Sequence, residues 1–378
     1  MSQYLQILVT GAAGMLGSEL TSQLARAGHA IAAMVNQTTE LRCNDGREIA
    51  TIPASPRQVL RPGSVALVNG NIQMPRCGME ASTYESLIAT TDLIVHCAAV
   101  TEFGREPHVY EAVNVCGTEN VVALALHSQQ RRIPLIHVST AYVSGDRHGL
   151  ILETDLENGQ RFGNPYEQSK FQAERLIRAA TRKGLEAIIV RPSIVVGDSR
   201  TGQIREFKNI YPVLKAVTEG RVRSIPGNYD ATLDLVPIDY VAATVRQIAL
   251  QFSGLIGRTF HIVSGQPITL QDFSDVLAEY PSMLVPRFVP AHSFDASRLP
   301  AFERRYYNRV VRLYESYFLR KVNFSNQAML AIMDGVQPPQ GKQFLRTLID
   351  YCEQVDYLGP PSSRPSDANE SIAGTLLT

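Results

Sequence analysis

Short apolar runs alternate with amphipathic stretches through the first half of the chain. The apolar runs are residues 7–9, 30–35, 65–68, 93–97, 135–138 and 187–190, each bounded by turn or polar residues. Helical patterns lie between several of them, at 14–27, 110–127 and 166–183. Continuous apolar strands alternating with helices are typical of a parallel sheet covered on both faces. The pattern therefore predicts an α/β fold, a Rossmann-like doubly wound parallel sheet.

The pattern loosens after Arg191. Helices are predicted at 205–218, 269–279 and 303–319, a strand with a helix at 234–250, a short strand at 260–263 and irregular chain at 281–300. Residues 1–195 are thus predicted to form the Rossmann-like core. Residues 196–357 form a smaller, mostly helical substrate lobe, of which 234–265 return to the core. Residues 358–378, rich in Pro, Ser and Asp, are predicted to be a disordered tail.

Charge and cysteine content exclude several classes of protein. Lys plus Arg and Asp plus Glu both total 36, so the net charge is zero and a nucleic-acid partner is not expected. Neither an apolar run of about 18 residues nor a secretory signal is visible, so we expect no membrane span and a cytoplasmic location. The five cysteines form no C-x-x-C pair, and Cys97 and Cys116 are predicted to be buried thiols. No metal site is expected, and the oligomeric state stays open.

A glycine-rich segment, TGAAGMLG at 10–17, directly follows the first predicted strand. Gly11 permits a tight turn, Gly14 lets the backbone approach a pyrophosphate, and Gly17 lets the helix pack closely on the strand. The helix N-terminus then offers free N–H groups to phosphate. The segment predicts a dinucleotide site.

The TGxxGxxG spacing resembles that of the short-chain dehydrogenase/reductase superfamily, extended type. The resemblance continues through HCAA at 96–99, NVCGT at 114–118, VSTAY at 138–142, YEQSK at 166–170, RPS at 191–193 and VPIDYVA at 236–242. It spans roughly residues 5–265. It implies an NAD(P)-dependent oxidoreductase with a catalytic Thr140, Tyr166 and Lys170. It also implies that Lys170 holds the nicotinamide ribose and that Asn114 supports a water-linked proton path.

The spacing of Tyr166 and Lys170 agrees with this role. Residues four apart lie on one helical face, although such pairs alone are common on solvated helices. A neighbouring ammonium favours the phenolate, so we expect Lys170 to lower the pKa of Tyr166. Thr140, at the end of a strand, is predicted to hydrogen-bond a substrate oxygen. His96 is predicted to be a packed histidine rather than a ligand.

The cofactor is predicted to be NADP, with NAD as the alternative. NAD enzymes usually carry an acid at the end of the second strand, whereas this chain has Asn36 there, with Arg42 and Arg47 further on. Asn71 also departs from the Asp that is common in the family. The predicted cofactor-binding residues are Thr10, Gly11, Ala13, Gly14, Met15, Leu16, Asn36, Asn71, Ile72, Ala98, Ala99, Val100, Lys170, Pro192 and Ser193.

Within the superfamily, HCAAVTEF, STAYV and RPSIVVGDSRTG look most like fatty acyl reductases and thioester reductase domains. The resemblance implies reduction of a CoA- or carrier-bound acyl thioester to an aldehyde or alcohol. We expect any acyl or peptidyl carrier protein to bind in trans. The alternatives are a nucleotide-sugar epimerase or dehydratase using Arg205, Arg221 and Arg223, a hydroxysteroid-like dehydrogenase, or a cofactor-sensing regulator. The arginines and aromatics of 303–320 predict either a helix that closes the lobe or a docking surface.

Overall fold

Eight parallel strands form the central sheet of the computed structural model, which describes residues 4–55, 59–127 and 131–359. In chain order they are β1 (Gln6–Thr10), β2 (Ala30–Val35), β3 (Ile52–Pro53), β4 (Val65–Asn69), β5 (Leu93–His96), β6 (Leu135–Val138), β7 (Ala187–Pro192) and β8 (Thr259–Ile262). Their spatial order is β8-β7-β6-β5-β1-β2-β4-β3. The six predicted strands and the strand near 260–263 are confirmed. The edge strand β3 was not predicted, because two residues carry no periodicity.

The strand order reverses beside β1. β2 pairs with one side of β1 and β5 with the other, so the chain winds outward in both directions from this point. Ligands of such sheets bind in the crevice outside the carboxyl ends of the strands at the reversal. The segments after β1 and β5 both begin at that crevice.

Helices cover both faces of the sheet. The helices are α1 (Met15–Arg26), α2 (Ala81–Thr90), α3 (Pro107–Tyr110), α4 (Gly117–Ala125), α5 (Pro165–Arg182), α6 (Tyr211–Thr218), α7 (Ile238–Leu250), α8 (Leu270–Leu277), α9 (Ala301–Arg309), α10 (Gln327–Ile332) and α11 (Gly341–Gln354). One apolar cluster joins β1 and β2 to α1 and α7, and a second joins the other face to α2, α4 and α5. The doubly wound fold is therefore confirmed.

The third apolar cluster fills the lobe. It combines α6, α8 and α11 with residues of the segment after α9. Five pairs of short strands also occur: Leu41–Arg42 with Glu48–Ile49, Gly149–Ile151 with Val322–Phe324, Ile194–Val196 with Leu235–Pro237, Ser224–Pro226 with Arg287–Val289, and Thr232–Leu233 with Ile268–Thr269. The tail predicted from residue 358 lies outside the described residues except for Leu358 and Gly359. Leu358 packs against the lobe cluster, and the Gly359 N–H donates to Glu219 at 3.0 Å.

Three helix predictions need correction. The helix predicted at 303–319 breaks at Val310, whose φ and ψ are −122° and −64°, and continues as two short 3-10 turns. The break turns the following aromatic side chains inward instead of continuing a straight amphipathic helix. The helix predicted at 205–218 spans only Tyr211–Thr218. The helix predicted at 110–127 is interrupted by a π-helical stretch, Glu111–Cys116.

Candidate active site

The turn between β1 and α1 is shaped by glycines. Gly11 has a φ of +68°, and a Cβ there would lie 2.7 Å from the backbone of Ala98. A Cβ on Gly17 would lie 2.1 Å from the carbonyl oxygen of Gly11, so α1 packs directly on the turn. Gly14 is exposed at the N-cap, where no side chain caps α1 and the first turn carries no acidic residue. An uncapped helix N-terminus facing an open cleft suits an anionic phosphate.

Buried hydrogen bonds hold this turn against α4. The Thr10 hydroxyl accepts from the Ala98 N–H at 3.2 Å and lies 2.7 Å from His96 Nδ1. On the other side of the ring, His96 Nε2 lies 3.1 Å from the Thr118 hydroxyl, which itself donates to Asn114 O. Because the Thr118 hydroxyl proton is already donated to Asn114 O, Thr118 accepts a proton from His96 Nε2. His96 Nδ1 then carries no proton and accepts a hydrogen bond from the Thr10 hydroxyl.

Burial, and then the Lys170 ammonium, lowers the pKa of His96 to about 3, so the ring is neutral. The imidazole is 1% exposed and is held on both nitrogens by threonine hydroxyls. The prediction of a packed histidine is confirmed.

Thr140, Tyr166 and Lys170 come together at the carboxyl ends of β6 and β7. Thr140 begins the turn that follows β6, and Tyr166 and Lys170 lie one turn apart on α5. The Thr140 hydroxyl donates to Pro192 O at 3.3 Å, and a hydrogen bond joins it to the Tyr166 side chain. The buried Lys170 Nζ donates to Val138 O at 2.6 Å. The Thr140 hydroxyl, the Tyr166 phenol and the Lys170 amino group thus belong to residues that line the same cleft.

The electrostatics of the pair differ from the sequence-based expectation. Burial raises the pKa of Tyr166, and the hydrogen bond from Thr140 offsets this only in part. Burial also lowers the pKa of Lys170 itself to about 8. The expectation that Lys170 makes Tyr166 acidic is therefore wrong in this structure. Desolvation dominates, so Tyr166 is a protonated phenol at neutral pH.

Asn114 lies in the π-helical stretch and not at the cleft surface. It is 1% exposed, accepts from the Val100 N–H at 2.8 Å and donates to Val100 O at 3.0 Å. It also donates to the Ser169 hydroxyl at 2.9 Å, which in turn donates to Tyr166 O. Asn114 therefore links the segment after β5 to the backbone of α5.

A single cleft at the strand reversal contains most of the predicted site. It encloses about 1270 Å³ including its open mouth. Ten of the predicted residues line it: Gly11, Gly14, Met15, Leu16, Ala99, Thr140, Tyr166, Lys170, Pro192 and Ser193. Eight do not: Thr10, Ala13, Asn36, Asn71, Ile72, Ala98, Val100 and Asn114. Of these eight, Thr10, Asn114 and Ile72 are buried, whereas Asn36 is exposed at the end of β2.

The far wall of the cleft is aromatic and was not predicted. It consists of Phe103, Tyr142, Tyr314, Tyr317 and Phe318, with Ile194, Ile210 and Leu233 completing it. Phe103 stacks on Tyr314 at a centroid distance of 4.9 Å and lies 5.7 Å from Tyr166. For Tyr314, Tyr317 and Phe318 the signal in the sequence is the aromatic content of 303–320, which a continuous helix would have placed differently.

A buried ion pair joins α5 to this wall. The Glu167 carboxylate, beside Tyr166, accepts from Arg320 Nη1 at 2.8 Å and Nη2 at 3.0 Å. Both side chains are almost fully buried, and the Arg320 guanidinium lies 5.1 Å from the centroid of the Tyr317 ring. Each charge is thereby neutralised, and α5 is tied to the segment after α9.

Several other sequence candidates lie outside this constellation. Cys97 and Cys116 are half-buried rather than buried, and Cys97 lines the cleft; burial raises the pKa of its thiol to about 12. Arg221 pairs with Glu219 at 2.6 Å, and Arg223 is exposed.

Within the described ranges, no group of His, Cys, Asp and Glu side chains could hold a metal ion. No helix among the described residues is both long and apolar enough to cross a bilayer.

Comparison with known sequences identifies relatives over most of the core. The model of the family "Male sterility protein", an NAD-binding domain, matches residues 9–245. Isonitrile lipopeptide synthase of Streptomyces coeruleorubidus is 27% identical over 73% of this chain, which corresponds to 18% of that protein's length. Probable fatty acyl-CoA reductase 4 of Arabidopsis thaliana is 25% identical over 57% of this chain and 55% of its own length. The chain thus spans only part of these relatives.

Solved structures share the fold over almost the whole chain. The terminal R domain from the myxalamid PKS-NRPS biosynthetic pathway superposes with a TM-score of 0.75 at 25% identity, covering 96% of this chain and 94% of that one. MoeE5 in complex with UDP-glucuronic acid and NAD superposes with a TM-score of 0.62 at 19% identity, covering 93% and 99%. The second likeness shows the fold alone.

Proposed function

The chain belongs to the male sterility protein family of NAD-binding domains, and from this premise we propose that it reduces acyl thioesters with NADPH. Its class, an NAD(P)-dependent oxidoreductase, agrees with the sequence-based prediction. One observation carries the proposal: Thr140, Tyr166 and Lys170 lie between the glycine turn and an aromatic wall in the same cleft. One end of that cleft suits a dinucleotide and the other an apolar acyl group.

The glycine turn fits the pyrophosphate of a dinucleotide. Gly11 and Gly17 leave no space for side chains, and the uncapped N-terminus of α1 offers N–H groups beside the exposed Gly14. The residues proposed to hold the cofactor are those that line the cleft from Gly11 to Leu16 and at Ala99, Pro192 and Ser193. When bound, the reduced nicotinamide supplies a hydride to the carbonyl carbon of the substrate.

Thr140 and Tyr166 act on the carbonyl oxygen of the thioester. As the C=O bond becomes a C–O⁻ bond, their hydroxyls stabilise the oxyanion by hydrogen bonding. When the oxyanion collapses, the C–S bond breaks, and the products are an aldehyde and a free thiol. Reduction of the aldehyde to an alcohol consumes a second NADPH, and in that round Tyr166 gives its proton to the alkoxide oxygen. The raised pKa of Tyr166 keeps that proton available at neutral pH.

The lining of the cleft favours an acyl group over a nucleotide sugar. A sugar diphosphate needs cations or many polar groups at its phosphates, but Lys170 and Lys208 are the only charged residues in the described lining. Arg205, Arg221 and Arg223, all considered for that role, lie outside it. Apolar and aromatic side chains are the usual surroundings of apolar ligands. We therefore propose a CoA- or carrier-bound acyl thioester as substrate, with a carrier protein as partner.

The proposal is tested with the purified chain, NADPH and a panel of acyl-CoA and acyl-pantetheine thioesters. The expected result is the release of one free thiol per NADPH oxidised when the product is the aldehyde, and per two NADPH oxidised when it is the alcohol, with the product identified by mass spectrometry. The Tyr166→Phe variant serves as the inactive control. Turnover of UDP-sugars with NAD, together with inert thioesters, would show that the epimerase alternative is right.

A further inference from the structure

Arg205 lies in the lobe but contacts the cofactor domain. Its Nη2 donates to Ala13 O in the glycine turn at 2.9 Å, and its Nη1 donates to Arg42 O at 2.5 Å. A single guanidinium therefore joins three segments that are far apart in sequence: the glycine turn, the segment after β2 and the loop before α6. The side chain is 24% exposed, so solutes can reach it.

These contacts place Arg205 beside the expected position of the adenosine ribose. In this fold the pyrophosphate lies at the helix N-terminus after the glycine turn, and the ribose 2′ position faces the end of the second strand. Ala13 belongs to the first of these segments, and Arg42 follows the second. Lys208 and Asn209, from the same loop as Arg205, line the cleft together with Gly14. The loop before α6 thus contributes to the same cleft as the glycine turn.

The other cations in this region have their own acidic partners. The exposed Arg42 pairs with Glu40 at 2.9 Å, and Arg47 pairs with Asp45. Arg205 pairs with Glu206 at 3.2 Å, but that carboxylate also pairs with Lys208 at 2.5 Å. Glu206 is therefore shared between two cations, and Arg205 with Lys208 leaves this loop with a positive charge in excess.

From this placement we infer that Arg205 binds the 2′-phosphate of NADPH and that the lobe thereby contributes to cofactor selection. The inference rests on the proposed function, which requires the phosphorylated cofactor. The backbone carbonyls of Ala13 and Arg42 hold the guanidinium in position, and only three of its five N–H groups have partners among the described residues. A guanidinium positioned in advance binds phosphate through charge-assisted hydrogen bonds. Such a contact also ties the lobe to the core when the cofactor binds.

The experiment measures the binding of 2′,5′-ADP and of ADP by calorimetry, because the two nucleotides differ in the position of one phosphate. The variant is Arg205→Gln, whose amide retains an N–H donor for a backbone carbonyl but has no charge. The matched control is Arg200→Gln, an exposed arginine in the same loop. We expect Arg205→Gln to weaken 2′,5′-ADP and NADPH at least tenfold and ADP and NADH less than threefold, with Arg200→Gln unchanged.

Equal weakening of all four ligands would mean that Arg205 only holds the loop, and the inference would fail. It would also fail if the parent protein bound ADP as tightly as 2′,5′-ADP. If Arg205→Gln does not fold, the variants Arg205→Lys, which keeps the charge, and Arg205→Met, which removes it, decide. Selectivity for 2′,5′-ADP that is lost in Arg205→Met with intact ADP binding supports the inference, and unchanged selectivity in Arg205→Met contradicts it. Binding is independent of turnover, so inert thioesters with NADPH-selective binding would refute only the proposed function.

Discussion

Tyr166 shows how burial sets the chemistry of a single residue. Its raised pKa makes it a proton donor throughout the neutral range rather than a resident phenolate. We predict that Tyr166→Phe lowers kcat for thioester reduction by at least about 100-fold, because general acid–base groups contribute roughly 10²–10⁴-fold. The NADPH dissociation constant, measured by fluorescence titration, should change little. Turnover within threefold of the parent would refute the role of Tyr166.

Lys170 provides a pH test at the same scale. Its pKa is lowered to about 8 by burial, so the side chain is an ammonium below this pH and a neutral amine above it. If the ammonium is the active form, kcat should be constant below about pH 8 and fall as pH rises through that value. In Lys170→Arg the cation persists to much higher pH, so the fall near pH 8 should disappear even though the rate is lower. If kcat falls near pH 8 in the Lys170→Arg variant as it does in the parent, a group other than Lys170 causes the fall.

At the scale of elements, α9 ends at Arg309 because the backbone departs from helical geometry at Val310. The interruption separates an exposed part of the segment from a buried part. Arg305 and Arg309 on α9 are exposed, whereas Tyr317 and Phe318, beyond the break, are buried against the cleft. The two sequence-based alternatives, closure of the lobe and a docking surface, therefore concern different parts of one segment.

The exposed arginines of α9 remain candidates for docking an acidic carrier protein. We predict that Arg305→Glu with Arg309→Glu raises KM for a carrier-bound acyl substrate and leaves KM for a small acyl thioester nearly unchanged. The difference should shrink with added salt, because exposed charges are screened. Arg182→Glu with Lys183→Glu, at the far end of α5, is the matched charge reversal. Equal effects on both substrates would mean that α9 is purely structural.

For the whole molecule, the Glu167–Arg320 pair is a buried link between α5 and the lobe. Arg320→Met should destabilise the protein by roughly 3–5 kcal/mol, because it leaves the Glu167 carboxylate buried without a partner. Urea unfolding followed by circular dichroism measures this change. The double variant Glu167→Gln with Arg320→Met should recover a substantial part of the loss. A loss below about 1 kcal/mol in the single variant would show that water or another group replaces Arg320.

The sequence alone determined the core of this protein, because its signals are local. Apolar runs bounded by turns predict strands, and the glycine spacing predicts the turn that Gly11 and Gly17 form by close backbone contact. The helical spacing of Tyr166 and Lys170 likewise fixes their proximity on one helical face. Ten of the predicted site residues accordingly line one cleft.

Only the tertiary structure decided the remaining features, because they depend on contacts between residues distant in sequence. Desolvation raises the pKa of Tyr166 and lowers that of Lys170, and the spacing of the two residues along a helix does not reveal how deeply they are buried. The aromatic wall depends on the break at Val310, and the Glu167–Arg320 pair spans 153 positions of the chain. Arg205 meets Ala13 across 192 positions. Burial and long-range pairing are properties of the packed molecule, and they turn a recognisable cofactor fold into a particular site.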